Sequence, residues 1–341
     1  MSNLANTAEP PVRISANTFS TRGRIFKPQG EDGFDQCWYP VALSDELANG
    51  QLLGRAFLDG KVVAYRSNSG EAHVLSAFCR HLGADLSMGS VVGDELRCPF
   101  HFWRYDSAGG CTAVPAGDPP PKNAQLFRYP AQESMGLIWA FNGEEPSYPV
   151  PQFKTPDEEL VIRAYEAANI LPVDPIVQLL NAFDLQHFQV VHGLDLQADA
   201  YRFDPYTVDC TFSFTAPELG PTTQARRIWG TTCVTMNGDH PDQPIHLAAG
   251  LCALPGNRTR MYVVHATPKG NGSADSESMI RQALDSAQAY AVRLISEDWP
   301  ILKSISFRMG LLTSSDRLLV QPLRWAERFP RAHPGAHCIK K

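Results

Sequence analysis

The rhythm of apolar and polar positions changes twice along the chain. From Phe34 onward the apolar residues come in short runs rich in β-branched and aromatic side chains: Gly54–Leu58, Lys61–Arg66, His73–Phe78, Leu96–Arg97, Phe102–Tyr105 and Leu137–Phe141. Gly, Asp and Asn cut these runs apart, which predicts strands joined by hairpins. Pro146, Pro149, Pro151 and Pro156 then mark a domain boundary near residue 150. Beyond it the period lengthens. Ile176, Leu179, Leu180, Phe183, His187 and Val190 recur at three- and four-residue steps, predicting a helix over Pro175–Val191. Residues 205–267 return to strand texture in TVDCTFSF, RIWGTTCVTM, HLAAGLCAL and RMYVVHAT, the pattern of one antiparallel sheet. A second long helix is expected over Ser276–Ser296, with Ile280, Ala283, Leu284, Ala287, Tyr290, Ala291 and Leu294 on one stripe. The fold class that follows is α+β. A strand-rich domain spans 38–150, and a sheet with helices packed beside it spans 151–341. Residues 1–37 are expected to be an arm packing on that body.

Composition agrees with this picture and removes some functions from it. A chain of 341 residues, 43 % hydrophobic and 19 % charged, has the size of two domains and enough apolar side chains for a large core. Thirty Lys+Arg against 36 Asp+Glu leave a net charge of −6, which disfavours a nucleic-acid partner. No run of about 18 apolar residues exists, so no transmembrane helix is expected. The first 26 residues lack the basic-then-apolar signal pattern, and a cytoplasmic location is the expectation. Eight Cys scattered through the chain do not make a disulfide scaffold, so each is a metal ligand or a small core residue.

Four of the candidate ligands form two short pairs. Cys79-x-His81 is followed by sixteen residues and then Cys98-x-x-His101, with Gly83, Gly89, Gly93 and Pro99 supplying loop punctuation. Facing loops of this kind can converge soft and borderline ligands on one metal centre. The pairs could be core residues, a structural zinc site, or a [2Fe–2S] centre with two Cys on one iron and two His on the other. Zinc sites usually use C-x2-4-C or H-x3-5-H spacing, unlike this one. Further on, Asp184 and His187 are three apart and share a helix face. His187 and His192 are five apart, about 140° around a regular helix. For both to hold one metal, the helix must end or distort between them, and Gly193 is compatible with a stop. Two His with a remote carboxylate make the facial arrangement of non-haem Fe(II) oxygenases, which leaves open positions for O2.

These residues carry a family resemblance. Cys79-Arg80-His81-Leu82-Gly83 and Cys98-Pro99-Phe100-His101 resemble the two loops of a Rieske cluster. Asn181-x2-Asp184-x2-His187-x4-His192, about eighty residues after the second loop, resembles the catalytic-domain motif of the large (alpha) component of Rieske non-haem iron oxygenases. The resemblance covers most of the chain. It implies an all-β Rieske [2Fe–2S] domain followed by a helix-grip, START-like catalytic domain. By resemblance, Cys79 and Cys98 hold one iron of the cluster, and His81 and His101 hold the other. Ala84 and Phe100 stand where respiratory-chain Rieske proteins have an extra Cys, so the match is to the disulfide-free branch.

His187 and His192 are then ligands of a mononuclear Fe(II). The third is a downstream carboxylate: Asp285, Glu297, Asp298 or Asp316, with Asp298 chosen because the family's remote Asp follows an acidic residue. Glu297 is then expected to be a helix-end surface charge. The family forms homotrimers in which Asp184 bridges His101 of one subunit to His187 of the next. Phe102 and Trp103 are expected to pack as core beneath the cluster loop.

The implied activity is that of a terminal oxygenase with O2 as co-substrate. Electrons come from NAD(P)H through a separate reductase, with or without a ferredoxin, since no G-x-G-x-x-G and no plant-type ferredoxin Cys run is present. By resemblance, Asn181 points to the monooxygenases, among them steroid-ring hydroxylases, O- or N-demethylases and angular or quinoline-type hydroxylases, and CPFHFWRYD leans toward the ketosteroid-hydroxylase branch. The implied reaction is hydroxylation or oxidative demethylation of a small apolar aromatic, polycyclic or steroid-like substrate. Candidates for the pocket wall are Phe203, Phe212, Phe214, Trp229, Met236, Met261, Phe307 and Met309. The competing readings are an arene cis-dihydroxylating dioxygenase and, outside enzymes, a cluster-only electron carrier or redox sensor.

Overall fold

The computed structural model describes residues 28–340 apart from 217–219, 240–243 and 309–310. Most of the expected N-terminal arm, and Met309, therefore lie outside the described residues. The strand-rich part is built from three small antiparallel sheets. One orders Arg128–Tyr129, Ala72–Ser76, Gly60–Arg66 and Leu52–Phe57. A second orders Ala131–Ser134, Leu137–Phe141 and Trp38–Leu43. The third orders Ser90–Val92, Glu95–Arg97, Arg104–Tyr105 and Cys111–Ala113. The two Cys/His loops lie on a small core shared by the first and third sheets, in which Val63, Tyr65, Leu75, Leu86, Leu96, Tyr105 and Leu126 are buried beside Cys79 and Cys98.

The later part is one antiparallel sheet in the order Leu160–Glu166, Arg258–Pro268, His246–Leu254, Cys233–Asp239, Gly220–Trp229 and Thr207–Ala216. Gln197–Ala198 and Arg202–Phe203 both pair with the last of these strands. Against one face lie α1 (Pro175–Asn181), α2 (Leu185–His192), α3 (Ala274–Ser304) and α4 (Arg317–Ala326). A separate apolar core joins the two parts. Trp38, Tyr39, Trp139 and Phe141 pack with Trp229, Cys252, Tyr262 and Val264. Two buried polar tips in this layer reach across it, as burial favours: Tyr262 Oη donates to Val41 O at 2.9 Å and Thr232 Oγ1 to Trp38 O at 2.7 Å. The chain then returns to its first sheets. Arg331–Ala332 pairs with Phe34–Asp35, and α5 (Ala336–Ile339) lies against Gly60–Arg66. A Cβ at position 60 would sit 2.3 Å from Ile339 O, so that contact requires Gly60. No helix among the described residues is long and apolar enough to cross a membrane.

Three expectations about elements are corrected. The helix expected over Pro175–Val191 is two helices separated by Ala182–Asp184, and Asp184 caps the second with Oδ1 accepting from His187 N at 3.0 Å. Asp competes with a helical backbone in an interior and favours a cap, so local chemistry outweighed the apolar period. RIWGTTCVTM is a hairpin rather than one strand: Trp229 ends one strand, Gly230 turns at φ 58, and Cys233 opens the next. The strand Leu160–Glu166 at the sheet edge was hidden behind the Pro-rich boundary. The long helix runs further than expected, to Ser304, with Pro300 inside it.

Candidate metal centres and active-site cavity

The first cluster loop leaves the strand Ala72–Ser76 and closes on itself, with Cys79 N donating to Ala84 O and Gly83 N to Cys79 O, both at 2.9 Å. The second leaves Glu95–Arg97 and returns at Arg104–Tyr105, closed by Cys98 N donating to Trp103 O at 2.8 Å. Tyr105 locks them together. Its Oη lies 3.1 Å from Cys79 Sγ and accepts from Arg80 N, also at 3.1 Å. Burial pushes the Cys79 thiol above its ordinary range. Both Cys are buried, whereas His81 and His101 are exposed, with ring centroids 4.7 Å apart. Among the described residues, these four do not form a set whose donor atoms all lie within single-ion reach of one another. A buried sulfur pair and an exposed imidazole pair fit the two ends of a [2Fe–2S] cluster better than a tetrahedral zinc ion.

Phe102 does not pack beneath the loop. It is 51 % exposed at φ 56, a backbone conformation that glycine adopts without cost and that turns this ring outward. Trp103 is half-buried and stacks on His81 at 4.5 Å with an interplanar angle of 4°. Leu82 and Phe100 are exposed as well, so an apolar rim surrounds the two imidazoles.

The second centre draws on α2 and α3. His187 Nε2 and His192 Nε2 are 3.1 Å apart, and Asp298 Oδ1 lies 2.9 Å from the first and 3.1 Å from the second. Despite these distances Asp298 Oδ1 accepts no hydrogen bond, because no N–H is aimed at it. The three atoms point instead at one place between them. Bonds of about 2.1 Å at right angles would separate donor atoms by about 3.0 Å, so this triangle has the edges of one octahedral face. The expected break does not fall between the two His. The helix ends at His192 itself, with Gly193 left-handed at φ 69, and both rings reach one side from there.

The atoms around the triad are satisfied in turn. Asn181 Nδ2 donates to Asp298 Oδ2 at 3.0 Å. Glu297 Oε2 is 2.7 Å from His192 Nδ1, and Arg293 Nη1 is 3.5 Å from Glu297 Oε1. Glu297 is thus no idle surface charge. It is a carboxylate on the ring nitrogen facing away from the triad, which fixes the tautomer. Of the other acidic candidates, Asp285 pairs with Arg163 and Asp316 accepts from Gln186. Arg80 is exposed, with its Nη1 3.9 Å from Cys338 Sγ.

A cavity of about 200 Å³ opens beside the triad, between the helices and one face of the sheet. Phe214, Met236 and Met261 line it, with Leu251, Val263 and Ile295. Phe212 is in the core just behind, and Phe203 and Phe307 pack around that core. Trp229 projects from the opposite face of the sheet, because strand side chains alternate, and lines a larger groove of about 1050 Å³ that holds none of the triad. The sequence reading missed Gln178, Gln224 and Arg226 in the cavity wall. The signal was there in the alternation Gln224, Arg226, Ile228, which puts two polar residues on the core-facing side of a strand.

With the geometry in hand, comparison with known proteins gives residues 37–131 as a Rieske [2Fe–2S] domain. The chain is 31 % identical over 126 residues to the oxygenase component of 3-ketosteroid-9-alpha-monooxygenase from Rhodococcus rhodochrous, covering 37 % of this chain and 33 % of that protein. It is 30 % identical over 218 residues to the chloroplastic chlorophyllide a oxygenase of Chlamydomonas reinhardtii, covering 59 % and 34 %. The chain spans only about a third of the length of these curated relatives. Among solved structures, NdmA of Pseudomonas putida CBB5 with caffeine superposes with a TM-score of 0.68 at 22 % identity, over 85 % of this chain and 89 % of that one. Dicamba monooxygenase bound to dicamba superposes with a TM-score of 0.66 at 21 % identity, over 87 % and 98 %. The chain therefore contains a Rieske domain and has the two-part α+β fold of these oxygenases.

Proposed function

We propose that the protein is the terminal oxygenase component of a multicomponent Rieske system, a monooxygenase that hydroxylates or oxidatively demethylates a small, largely apolar organic substrate. The observation that carries this reading is the convergence of His187, His192 and Asp298 at the wall of an apolar cavity, in a chain that also carries Rieske loops. In this reading residues 38–150 deliver electrons and residues 151–341 bind substrate. Cys79, His81, Cys98 and His101 hold the cluster, and His187, His192 and Asp298 hold a mononuclear Fe(II). That iron, when bound, supplies O2 activation. Asn181 and Glu297 orient two of its ligands through the contacts given above. The apolar wall excludes water and holds the carbon skeleton beside the triad.

Electrons come from NAD(P)H through a separate reductase, with or without a ferredoxin. The working unit is a homotrimer in which the apolar rim of Leu82, Phe100 and Phe102 seats each cluster against the next subunit. Asp184 then links His101 of one subunit to His187 of the next. Iron analysis and O2 uptake test the reading together. About three Fe per chain, with reductant- and substrate-dependent O2 uptake and a product either heavier by one oxygen or lighter by CH2 with formaldehyde released, is the expected result. About two Fe and no uptake would make the protein a cluster-only electron carrier, and two added oxygens would make it a dihydroxylating enzyme. The trimer has its own test. Cys98→Ser and His192→Ala chains, each inactive alone, should regain partial activity in verified mixed trimers; no recovery would mean that electrons stay within one chain.

A further inference from the structure

Two adjacent arginines on the strand Gly220–Trp229 have opposite fates. Arg227, on the groove side, is held by Asp209 through Nε at 2.5 Å and Nη2 at 2.8 Å. Arg226 borders the groove too, but its guanidinium lies on the side of the cavity beside the triad, and the residue is 4 % exposed. Its Nε donates to Gln224 Oε1 at 2.8 Å and its Nη1 to Ala182 O at 2.5 Å. Its guanidinium lies 3.9 Å from the centre of the Phe212 ring and 5.3 Å from that of Phe188. No carboxylate among the described residues pairs with it, and the groups acting on its charge are Cys210 and Tyr201. Burial lowers its pKa to about 10, which leaves it cationic at neutral pH.

A guanidinium has five N–H donors, and two are used here. A buried cation without a counter-ion is costly, and two aromatic faces offset only part of that cost. The same wall holds the buried Gln178 Oε1, which has no hydrogen-bond partner. Gln178, Gln224 and Arg226 thus form a polar pole in an otherwise apolar cavity. The pole adjoins the triad, because Arg226 grips the residue next to Asn181, and Asn181 holds Asp298. Arg226 is the one Lys or Arg side chain lining the cavity among the described residues. One guanidinium with N–H donors to spare matches one carboxylate.

We infer that Arg226 anchors the carboxylate of the substrate, so that the site takes apolar monocarboxylic acids, held by the head group with the carbon skeleton beside the triad. This rests on the reading of the cavity as an oxygenase active site, and it narrows the substrate class of that site.

The test uses the iron-loaded holoprotein and three probes of one shape: 2-naphthoate, 2-naphthamide and naphthalene, with binding followed by calorimetry or tryptophan fluorescence. A charged hydrogen-bonded contact should make 2-naphthoate bind about 10- to 100-fold more tightly than 2-naphthamide. Arg226→Met should equalise the two, and Arg226→Lys should keep part of the preference. Naphthalene should bind all three proteins within about threefold, since it makes no hydrogen bond. Arg226 also ties the α1–α2 turn to the sheet, but loss of that role would weaken all probes together and would not change their ratio. If Arg226→Met fails to fold, the wild-type ratio and the lysine variant decide the matter.

Equal binding of acid and amide by the wild type, survival of the preference in Arg226→Met, or binding of none of the probes at millimolar concentration would overturn the inference. O2 uptake by the same samples, supplied with a chemical reductant and an electron-transfer mediator, separates the two readings. An Arg226-dependent preference for naphthoate with no uptake for any compound sinks the oxygenase reading and keeps the anchor. Uptake with no preference sinks the anchor alone.

Discussion

The two candidate metal centres are built on opposite plans. The Cys/His set comes from two loops on neighbouring parts of one small region, and its imidazoles stand in solvent behind a rim of exposed apolar side chains. The triad comes from two helices far apart in sequence and is closed off: the side chains of His187, His192 and Asp298 are 10, 2 and 9 % exposed. The first plan suits a group that must hand electrons outward. The second suits one that must exclude water while a substrate is oxidised. Exposure of the candidate histidines, more than residue type, distinguishes the two sites.

The contrast can be broken most severely at the ligands. Cys98→Ser should abolish the visible cluster absorption and all product formation while the mononuclear iron stays, at about one Fe per chain, because thiolate is required on that side of the cluster. A variant that kept its cluster spectrum would overturn the assignment. Asp298→Ala should do the reverse, leaving the cluster colour and about two Fe per chain with no turnover, since two imidazoles do not complete a facial triad. Retention of catalytic iron in that variant would move the third ligand elsewhere.

Asp184→Asn tests the link between the two centres. Asn is as good a helix cap as Asp, so α2 should survive. It lacks the charge that would accept from two imidazole N–H groups, so turnover should fall by about 100-fold or more with both metals bound. Rapid cluster reduction followed by stalled product formation is the signature to look for in single-turnover kinetics. Normal turnover would leave Asp184 as a cap alone. Glu297→Gln should be milder, costing roughly 10- to 100-fold in iron affinity or activity through the loosened His192 ring. An unchanged iron titration would mean the His192 contact does not tune the site.

The smallest effect lies in the sheet strand Arg258–Pro268. His265 is fully buried, its Nε2 is 3.3 Å from Tyr165 Oη, and desolvation, aided by Arg163, lowers its pKa from 6.5 to about 4. Between those values the unfolded chain binds more protons than the folded one. The stabilisation from the neutral ring is therefore complete above about pH 6.5 and is lost on acidification toward pH 4, at no more than about 1.4 kcal/mol per pH unit. His265→Phe should flatten this slope in urea titrations at pH 7 and pH 5. Parallel loss in wild type and variant would show that His265 does not drive it.

Much of this is legible in the sequence. The strand texture and the long helix are local signals, and the structure keeps them. What was not legible depended on side-chain direction. Asp184 broke a helix that an apolar period had joined, because its cap bond lies outside any count of hydrophobic positions. Glu297 and Asp298 are neighbours on α3, yet one reaches the outer nitrogen of His192 and the other faces the triad, a distinction no spacing encodes. Phe102 turned outward because of one left-handed backbone angle. Trp229, expected in the pocket wall, lines only the groove, whereas Arg226, two residues on from Gln224, reaches the cavity as well.

The return of Arg331–Ala332 to Phe34–Asp35, and of α5 to Gly60, sets an order of assembly. Loops that long close slowly, since their entropy must be lost before the pairing stabilises them. During synthesis the strands around the cluster loops leave the ribosome with their covering segment still unmade, while the sheet and α3 can already collapse on one another. The region whose ligands lie nearest in sequence would therefore be the last to be sealed. Cluster insertion would have its opening in that interval, before residues 331–339 close over the sheet beneath it.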